Sequence, residues 1–390
     1  MLTVNGRIAL SRRRYFAKGV GSFTPLDGWL DRAHAGISRG VCEMACRLNQ
    51  ASRSFAKAAD NLARTAQLRL SREALRDLVE SEGKAARAAE QAGRLPLDWD
   101  AGACFVPDER GRPTARTRLY VGADGFMVPV VTQAEKDARR AGVKAKRRRR
   151  GRRCRPLPRA RPGADGAFKE FRVITCYDEP AEHRLVSVTR GSSAQVGRQL
   201  RRDAGRVRLG KAQDKVAVID GAEWIRRQLR EQSLPLDAVG LDFYHLAENV
   251  HKARRAVYGE ADPKDEANPG NQWAARVLHA AKHEGFDGLD RELCSWLKGL
   301  RGRAKRRAAM GLLCYVTERE EMVAYPAFVA LGRQIGSGPT EAMCKAAALR
   351  VKGVGKKWDA DNAEAVMTLE AHDQSGLWDA YWDLGPPLAL

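Results

Sequence analysis

The strongest constraint on the fold is a series of short apolar runs that stop at aspartates: Arg118-Leu-Tyr-Val-Gly-Ala-Asp124, Lys215-Val-Ala-Val-Ile-Asp220 and Asp237-Ala-Val-Gly-Leu-Asp242. Runs this short, rich in β-branched residues and bounded by Asp-Gly or a change to helical periodicity, read as buried strands. Asp124-Gly and Asp220-Gly read as strand-closing turns. Phe171-Arg-Val-Ile-Thr-Cys-Tyr177 and Arg184-Leu-Val-Ser-Val-Thr189 add two β-rich runs behind the first, in the manner of an antiparallel meander. The later two aspartate-ended runs each lead into a helical segment, the pattern of parallel strands joined by crossovers. The expected fold is therefore α/β with a mixed sheet.

A chain of 390 residues with 44% apolar content can bury a full core and fill about two or three structural units. Its formal charge of +21 points to a polyanionic partner, and nucleic acid is the expected one. No apolar stretch is long enough to span a bilayer and no amphipathic terminal anchor is visible, so membrane is not an expected partner. Met1 to Arg14 places its arginines after the apolar residues, the reverse of a signal peptide. The eight cysteines are scattered without paired Cys-x-x-Cys units, which predicts reduced thiols and a cytoplasmic protein. Cys42 and Cys46, one helical turn apart among apolar residues, read as core and not as a metal pair.

Along the chain, residues 1–16 read as a short strand or hairpin, and the 1–93 region as a mainly helical unit. Within it Ser54 to Leu62 and Ser71 to Val79 have the layout of a helix-turn-helix, with Arg72 and Arg76 exposed on the second helix. A plain helical hairpin fits the same residues. Residues 94–117, holding Leu95-Pro-Leu-Asp98, read as a linker. The catalytic domain is expected to open at 118–244, interrupted by a basic insertion at 134–166 that includes Arg147, Arg148, Arg149 and Arg150. A run so charged cannot pack on itself and reads as disordered, able to grip phosphates through counterion release. Residues 245–333 read as an all-helical insertion whose Trp273 and Trp296 are core candidates, and 334–390 as the second part of the catalytic domain, ending in a helix and a Trp-rich tail.

Two aspartates at strand ends and a glutamate opening a helix, Asp124, Asp220 and Glu341, suit a site for two Mg²⁺ or Mn²⁺ ions that hold a phosphodiester in line for displacement. Glu341 lies in Ile335-Gly-Ser-Gly-Pro-Thr-Glu341, whose glycines allow a sharp turn into the helix. A dinucleotide loop would place Gly or Ala where Glu341 stands, and Gly353-Val-Gly-Lys-Lys357 lacks the spacing of a phosphate-binding P-loop.

The ordered set Asp220-Gly-Ala-Glu-Trp-Ile225, Leu241-Asp-Phe-Tyr-His245 and Gly336-Ser-Gly-Pro-Thr-Glu341, followed by Arg350-Val-Lys352 and Trp358, resembles the Mutator-like DDE transposases of bacterial insertion sequences, most closely the Kra-type family. The resemblance runs from about Tyr120 to Trp382. It implies a ribonuclease-H-like catalytic domain with a helical insertion, preceded by a DNA-binding helix-turn-helix. It also implies an enzyme that binds element ends, cleaves DNA with two metal ions and joins the 3′-hydroxyl to target DNA, as a homodimer or higher oligomer on double-stranded DNA near the nucleoid. Asp242 and His245 match the family's Asp-x-x-His, with His245 serving either catalysis or structure. Lys345, Arg350, Lys352, Lys356 and Lys357 form a basic ridge ending in Trp358, similar to the family's Arg-x-Lys and Trp positions, which reads as a contact to the DNA backbone or as a solvated helix face. A ribonuclease-H-like nuclease that cuts without joining, and a DNA-binding protein without transposition activity, are the alternatives.

Overall fold

The computed structural model describes residues 1–19, 21–25, 36–52, 54–151, 156–157 and 159–384. Two small hairpins come first, β1 (Leu2–Thr3) with β2 (Gly6–Arg7) and β3 (Tyr15–Ala17) with β4 (Gly21–Phe23). Three helices follow: α1 (Arg39–Gln50), α2 (Phe55–Thr65) and α3 (Arg72–Gln91). Each starts where a serine hydroxyl, of Ser38, Ser54 and Ser71, accepts a backbone N–H of the first turn. Residues 26–35 of the expected helical unit lie outside the described residues.

The expected linker is more ordered than its Pro and Gly content suggests. A 3₁₀ turn at Ala101–Ala103 is capped by Asp100, and β5 (Phe105–Pro107) pairs with the start of β6 (Pro113–Pro129). Asp108 closes the hairpin between them by accepting the backbone N–H groups of Arg110 at 2.9 Å and Arg112 at 2.8 Å.

The expected mixed sheet is present. Its order is β10-β9-β6-β7-β8, with β5 paired to β6. β6, β7 (Phe168–Tyr177) and β8 (Arg184–Thr189) form the antiparallel meander. After α5 (Ser193–Arg206), β9 (Asp214–Ile219) runs parallel to β6; after α6 (Glu223–Glu231), β10 (Ala238–Leu241) runs parallel to β9.

Two features of this region correct the sequence reading. Asp124-Gly125 does not turn: β6 continues through it, pairing with β7 as far as Pro129↔Phe168, because Gly125 stays at negative φ. The basic insertion between β6 and β7 is not formless either. Its first half is helix α4 (Gln133–Arg149), whose start is secured by a capping box between Thr132 and Glu135. Lys146, Arg147, Arg148 and Arg149 occupy its last turn, where positive charge opposes the helix dipole. The helix buries none of its residues.

The helical insertion follows β10 as α7 (Phe243–Tyr258), α8 (Pro269–Gly299, with a break at Gly285), α9 (Arg303–Thr317) and α10 (Tyr325–Ala330). Trp273 and Trp296 are buried and stack at 3.9 Å between ring centroids, which makes them core. The chain then returns to the sheet as α11 (Gly338–Leu349), α12 (Ala360–Gln374) and α13 (Trp378–Asp383).

Adjacent residues of β7 separate the two faces of the sheet: Thr175 meets Thr340 of α11, while Cys176 lies in the field of Asp203 and Arg206 of α5. Helix α12 packs on β8 and along α3, so the N-terminal helices share the core of the sheet domain. No helix among the described residues is long and apolar enough to cross a membrane.

Candidate carboxylate site and nucleic-acid interface

The register of the parallel strands sets the site. β6 and β9 pair as Arg118↔Asp214 through Val121↔Ala217, an offset of 96, and the same offset carries Asp124 to Asp220. β9 and β10 pair as far as Ile219↔Leu241, so the next residues on each are Asp220 and Asp242. Extending those offsets past the last pairs brings Asp124, Asp220 and Asp242 to one level, and Asp220 lies in the field of Asp124.

Helix α11 brings Glu341 to that level. Thr340, just before it, is seated over Gly122, two residues from Asp124 and on the same face. An added Cβ at Gly122 would lie 2.1 Å from the Thr340 Oγ1, and Thr340 Oγ1 is 2.9 Å from Thr175 Oγ1. Only glycine allows this approach. Cys344 and Lys345, one turn further along α11, lie in the fields of both Asp124 and Glu341.

The three aspartates differ in what surrounds them. Asp242 is nearly fully buried and its oxygens are committed: Oδ1 accepts the Tyr244 N–H at 2.8 Å, capping α7, and Oδ2 meets His245 Nδ1 at 3.0 Å and the Ser337 hydroxyl. Burial pushes its carboxyl up, but these hydrogen bonds outweigh burial and hold it below the usual range. Asp220 is pushed the other way, first by burial and also by the charge of Asp124, against the opposing pull of the Ala222 N–H, His245 and Arg319. Its Oδ1 accepts the Ala222 N–H at 2.8 Å. Gly221, at φ +78°, makes the turn behind it and leaves room for Arg319, which donates to the Gly221 carbonyl at 3.0 Å and so does not reach the Asp220 carboxylate by that bond. Glu341 is exposed, with Lys345 Nζ at 2.8 Å.

His245 is therefore a support for the aspartates as well as a neighbour of the site. Its hydrogen bond to Asp242 comes first, and with the fields of Asp242, Asp220 and Glu248 it outweighs partial burial and raises the imidazole to about 9. At neutral pH it is a cation held beside Asp220. Of the remaining acids weighed from sequence, Glu223 pairs with Arg226 within α6.

The loop leading to Glu341 is clamped at both ends. Arg118, buried in β6, donates to the carbonyls of Leu331 at 2.7 Å and Gly332 at 2.5 Å, and Arg333 binds Asp214 at 2.6 Å. Ile335 accepts the Phe243 N–H at 2.9 Å, next to Asp242. The helical insertion consequently leaves and rejoins the sheet at one closed stem, which fixes Glu341 relative to the aspartates. Sequence reasoning passed over Gly122, Ser337 and Cys344. The glycine lay in view in Val121-Gly-Ala-Asp124, but nothing local indicates that a helix over 200 residues away would rest on it.

Carboxylate oxygens suit hard divalent cations: Asp220 is incompletely compensated and Glu341 is exposed beside Lys345, while Asp242 already accepts three hydrogen bonds.

The basic residues expected to meet DNA divide into two groups. Arg72 and Arg76 are exposed on α3, each paired with the acid next to it, Glu73 and Asp77. Arg76, Lys84, Lys136, Arg139, Lys356 and Lys357 line one cleft of about 830 Å³ between α3, α4 and the 355–359 loop. Lys357 pairs with Glu135 at the head of α4, and Lys356 donates to the carbonyls of Arg350 and Lys352. Lys352 reaches over the ring of Phe126. Arg147, Arg148, Arg149 and Arg150 lie along the exposed end of α4.

Arg350 and Trp358 correct the expectation of a continuous DNA-contacting ridge. Arg350 is 4% exposed, donates to the Asn49 carbonyl at 3.1 Å and to Asn49 Oδ1 at 2.7 Å, and lies over the rings of Phe55 and Trp358. Burial pulls its guanidinium down to about 10. Trp358 is also buried, with its indole donating to the Val351 carbonyl at 2.9 Å. Both tie the N-terminal helices to the sheet. Lys345 belongs to the carboxylate site through Glu341.

No protein-family model matches the chain. No curated protein matches it either. Among solved structures it is similar to a Drosophila P element transposase strand transfer complex, at 8% identity over 89% of this chain and 80% of that one, with a TM-score of 0.28. A TM-score that low carries no argument about the fold or the chemistry of this chain.

Proposed function

We propose that this protein is a DDE transposase of the insertion-sequence type, resembling the Mutator-like group, with a ribonuclease-H-like catalytic domain. It would bind the ends of its element in duplex DNA, cleave them to free 3′-hydroxyls and join those to a target duplex, working as a dimer or larger assembly. The observation that carries this reading is the placement of Asp124 and Asp220 at one level of adjacent parallel strands, with the helix of Glu341 seated two residues from Asp124.

Asp124, Asp220 and Glu341 would hold two Mg²⁺ or Mn²⁺ ions, which supply Lewis-acid activation of the attacking oxygen and charge neutralisation of the phosphate when bound. Asp242 orients His245, and the imidazolium can hold a phosphate oxygen or pass a proton to a departing one. The α3–α4 cleft and the arginines of α4 would bind backbone phosphates, and Arg72 and Arg76 would read the duplex.

The test uses the full-length protein with Mg²⁺ and duplexes ending in any inverted repeats that flank its gene. Nicking at the repeat followed by joining to a plasmid is expected, both absent in Asp220→Asn. Nicking without joining would replace the reading with that of a nuclease, and wild-type cleavage by Asp220→Asn would remove the site from the chemistry. Replacing Arg147, Arg148, Arg149 and Arg150 by Gln should weaken binding of all duplexes alike and flatten the slope of log affinity against log salt by about 0.9 for each phosphate left without its arginine.

A further inference from the structure

The end of the sheet remote from the carboxylates holds a second cluster with different chemistry. Cys104 follows the 3₁₀ turn before β5, Asp178 follows β7, and His183 precedes β8. One ligand atom from each lies within 4.8 Å of the other two. By the β6–β7 register, Tyr120↔Tyr177, Asp178 falls opposite Leu119, five residues from Asp124 and therefore about 17 Å along the strand. No sequence motif announces the set, because the thiol is separated from the other two by the whole of β5, β6, α4 and β7.

Asp178 Oδ2 lies 2.7 Å from His183 Nδ1, and Oδ1 accepts the His183 N–H at 3.1 Å. A hydrogen-bonded turn accounts for those two residues. It accounts neither for the buried thiol beside them nor for the charge. The Asp178 carboxylate is 2% exposed, yet among the described residues it pairs with no lysine or arginine. Asp214, equally buried on the same sheet, has Arg116, Arg118 and Arg333. A buried carboxylate without a fixed cation is costly unless something positive joins it.

We propose that Cys104, Asp178 and His183 bind a structural zinc-class divalent ion. Sulfur, nitrogen and oxygen donors together favour zinc over magnesium. The Asp100 carbonyl, 3.6 Å from the Cys104 sulfur, or a water entering beside half-buried His183 completes four ligands. On binding, the thiol proton passes to solvent, and His183 binds through a ring nitrogen that carries no proton, its proton resting on the other ring nitrogen. The ion fastens the β7–β8 turn to the segment joining α3 to β5, where Trp99 already packs on the imidazole at 5.4 Å.

Co²⁺ added to the full-length protein in Mg²⁺ buffer, which saturates the hard-ligand site, tests this. One ion per chain with a thiolate-to-cobalt charge-transfer band is expected, together with displacement by Zn²⁺. Cys104→Ser should remove the band, and His183→Gln should weaken binding about tenfold or more, while Cys314→Ser, at an exposed thiol, should leave both unchanged. Zn²⁺ should also raise the unfolding temperature of the wild type, raise that of His183→Gln less, and leave that of Cys104→Ser unchanged. Absence of the band, its persistence in Cys104→Ser, or its loss in Cys314→Ser would overturn the proposal.

Discussion

The two ends of β9 carry aspartates six residues apart in opposite circumstances. Asp214, at its start, is 2% exposed and is met by Arg118 at 2.8 Å, Arg333 at 2.6 Å and Arg116 at 3.1 Å. Burial alone would push its carboxyl up, but the arginines outweigh it and hold it below the usual range. Asp220, just past the other end, is pushed up by burial and by Asp124, and Arg319 donates to the neighbouring Gly221 carbonyl. The same residue type on the same strand is a finished structural joint in one place and an incompletely balanced anion in the other. A protein that can surround an aspartate with three arginines and does not do so a few residues later leaves room for a cation from outside. That contrast supports a metal-binding role for one end of the sheet and a fold-holding role for the other.

Neutralising each aspartate separates the two roles most sharply. Asp220→Asn, Asp124→Asn or Glu341→Gln should lower metal-dependent cleavage on the order of 10³-fold or more, the equivalent of about 4 kcal/mol of lost charge stabilisation. The unfolding temperature of Asp220→Asn should stay level or rise, because a repelled charge has been removed. A fall as large as that of an Asp214 variant would erase the distinction. Asp214→Asn should instead cost about 3 to 5 kcal/mol in urea unfolding, since it leaves Arg333 buried without its anion and Arg118 with Glu179 alone.

A smaller effect is expected where α11 rests on the sheet. Gly122→Ala should cost about 1 to 3 kcal/mol as Thr340 is forced away from β6. Thr340→Ala, which removes the hydroxyl that the added methyl would meet, should recover cleavage in the Gly122→Ala background in part. Equal cleavage by wild type and Gly122→Ala would show that the seat of α11 does not set the position of Glu341.

The mildest test is titration. With its pKa raised to about 9, His245 stabilises the fold fully below its unfolded value of about 6.5, and that contribution is lost as pH rises through about 9. Unfolding midpoints of wild type and His245→Gln should converge above that pH. Imidazole NMR signals should give a midpoint near 9 without divalent ions and a lower one with Mg²⁺, as the metal's charge at Asp220 opposes the imidazolium. An unperturbed midpoint would mean that Asp242 and Asp220 do not act on the ring.

The alternation of apolar runs, the meander followed by crossovers, the helical nature of 245–333 and the glutamate at the head of a helix were legible in the sequence, because strand and helix periods are local properties of side-chain order. Serine caps at Ser54 and Ser71 were legible for the same reason. The capping box Thr132-Gln-Ala-Glu135 was equally local, but the charge behind it hid it. Tertiary structure alone decided the rest. Whether Asp124-Gly125 turns or runs on depends on a strand some 50 residues away offering partners through Pro129. Whether Arg350 meets DNA or Asn49 depends on a helix brought in from the far N-terminus. The alignment of Asp124 with Asp220, and the compensation of Asp214 but not of Asp220, are consequences of strand register and of which side chains surround each end. Local sequence encodes which residues can form a strand or helix, while the three-dimensional packing of distant segments determines which charges are left unanswered.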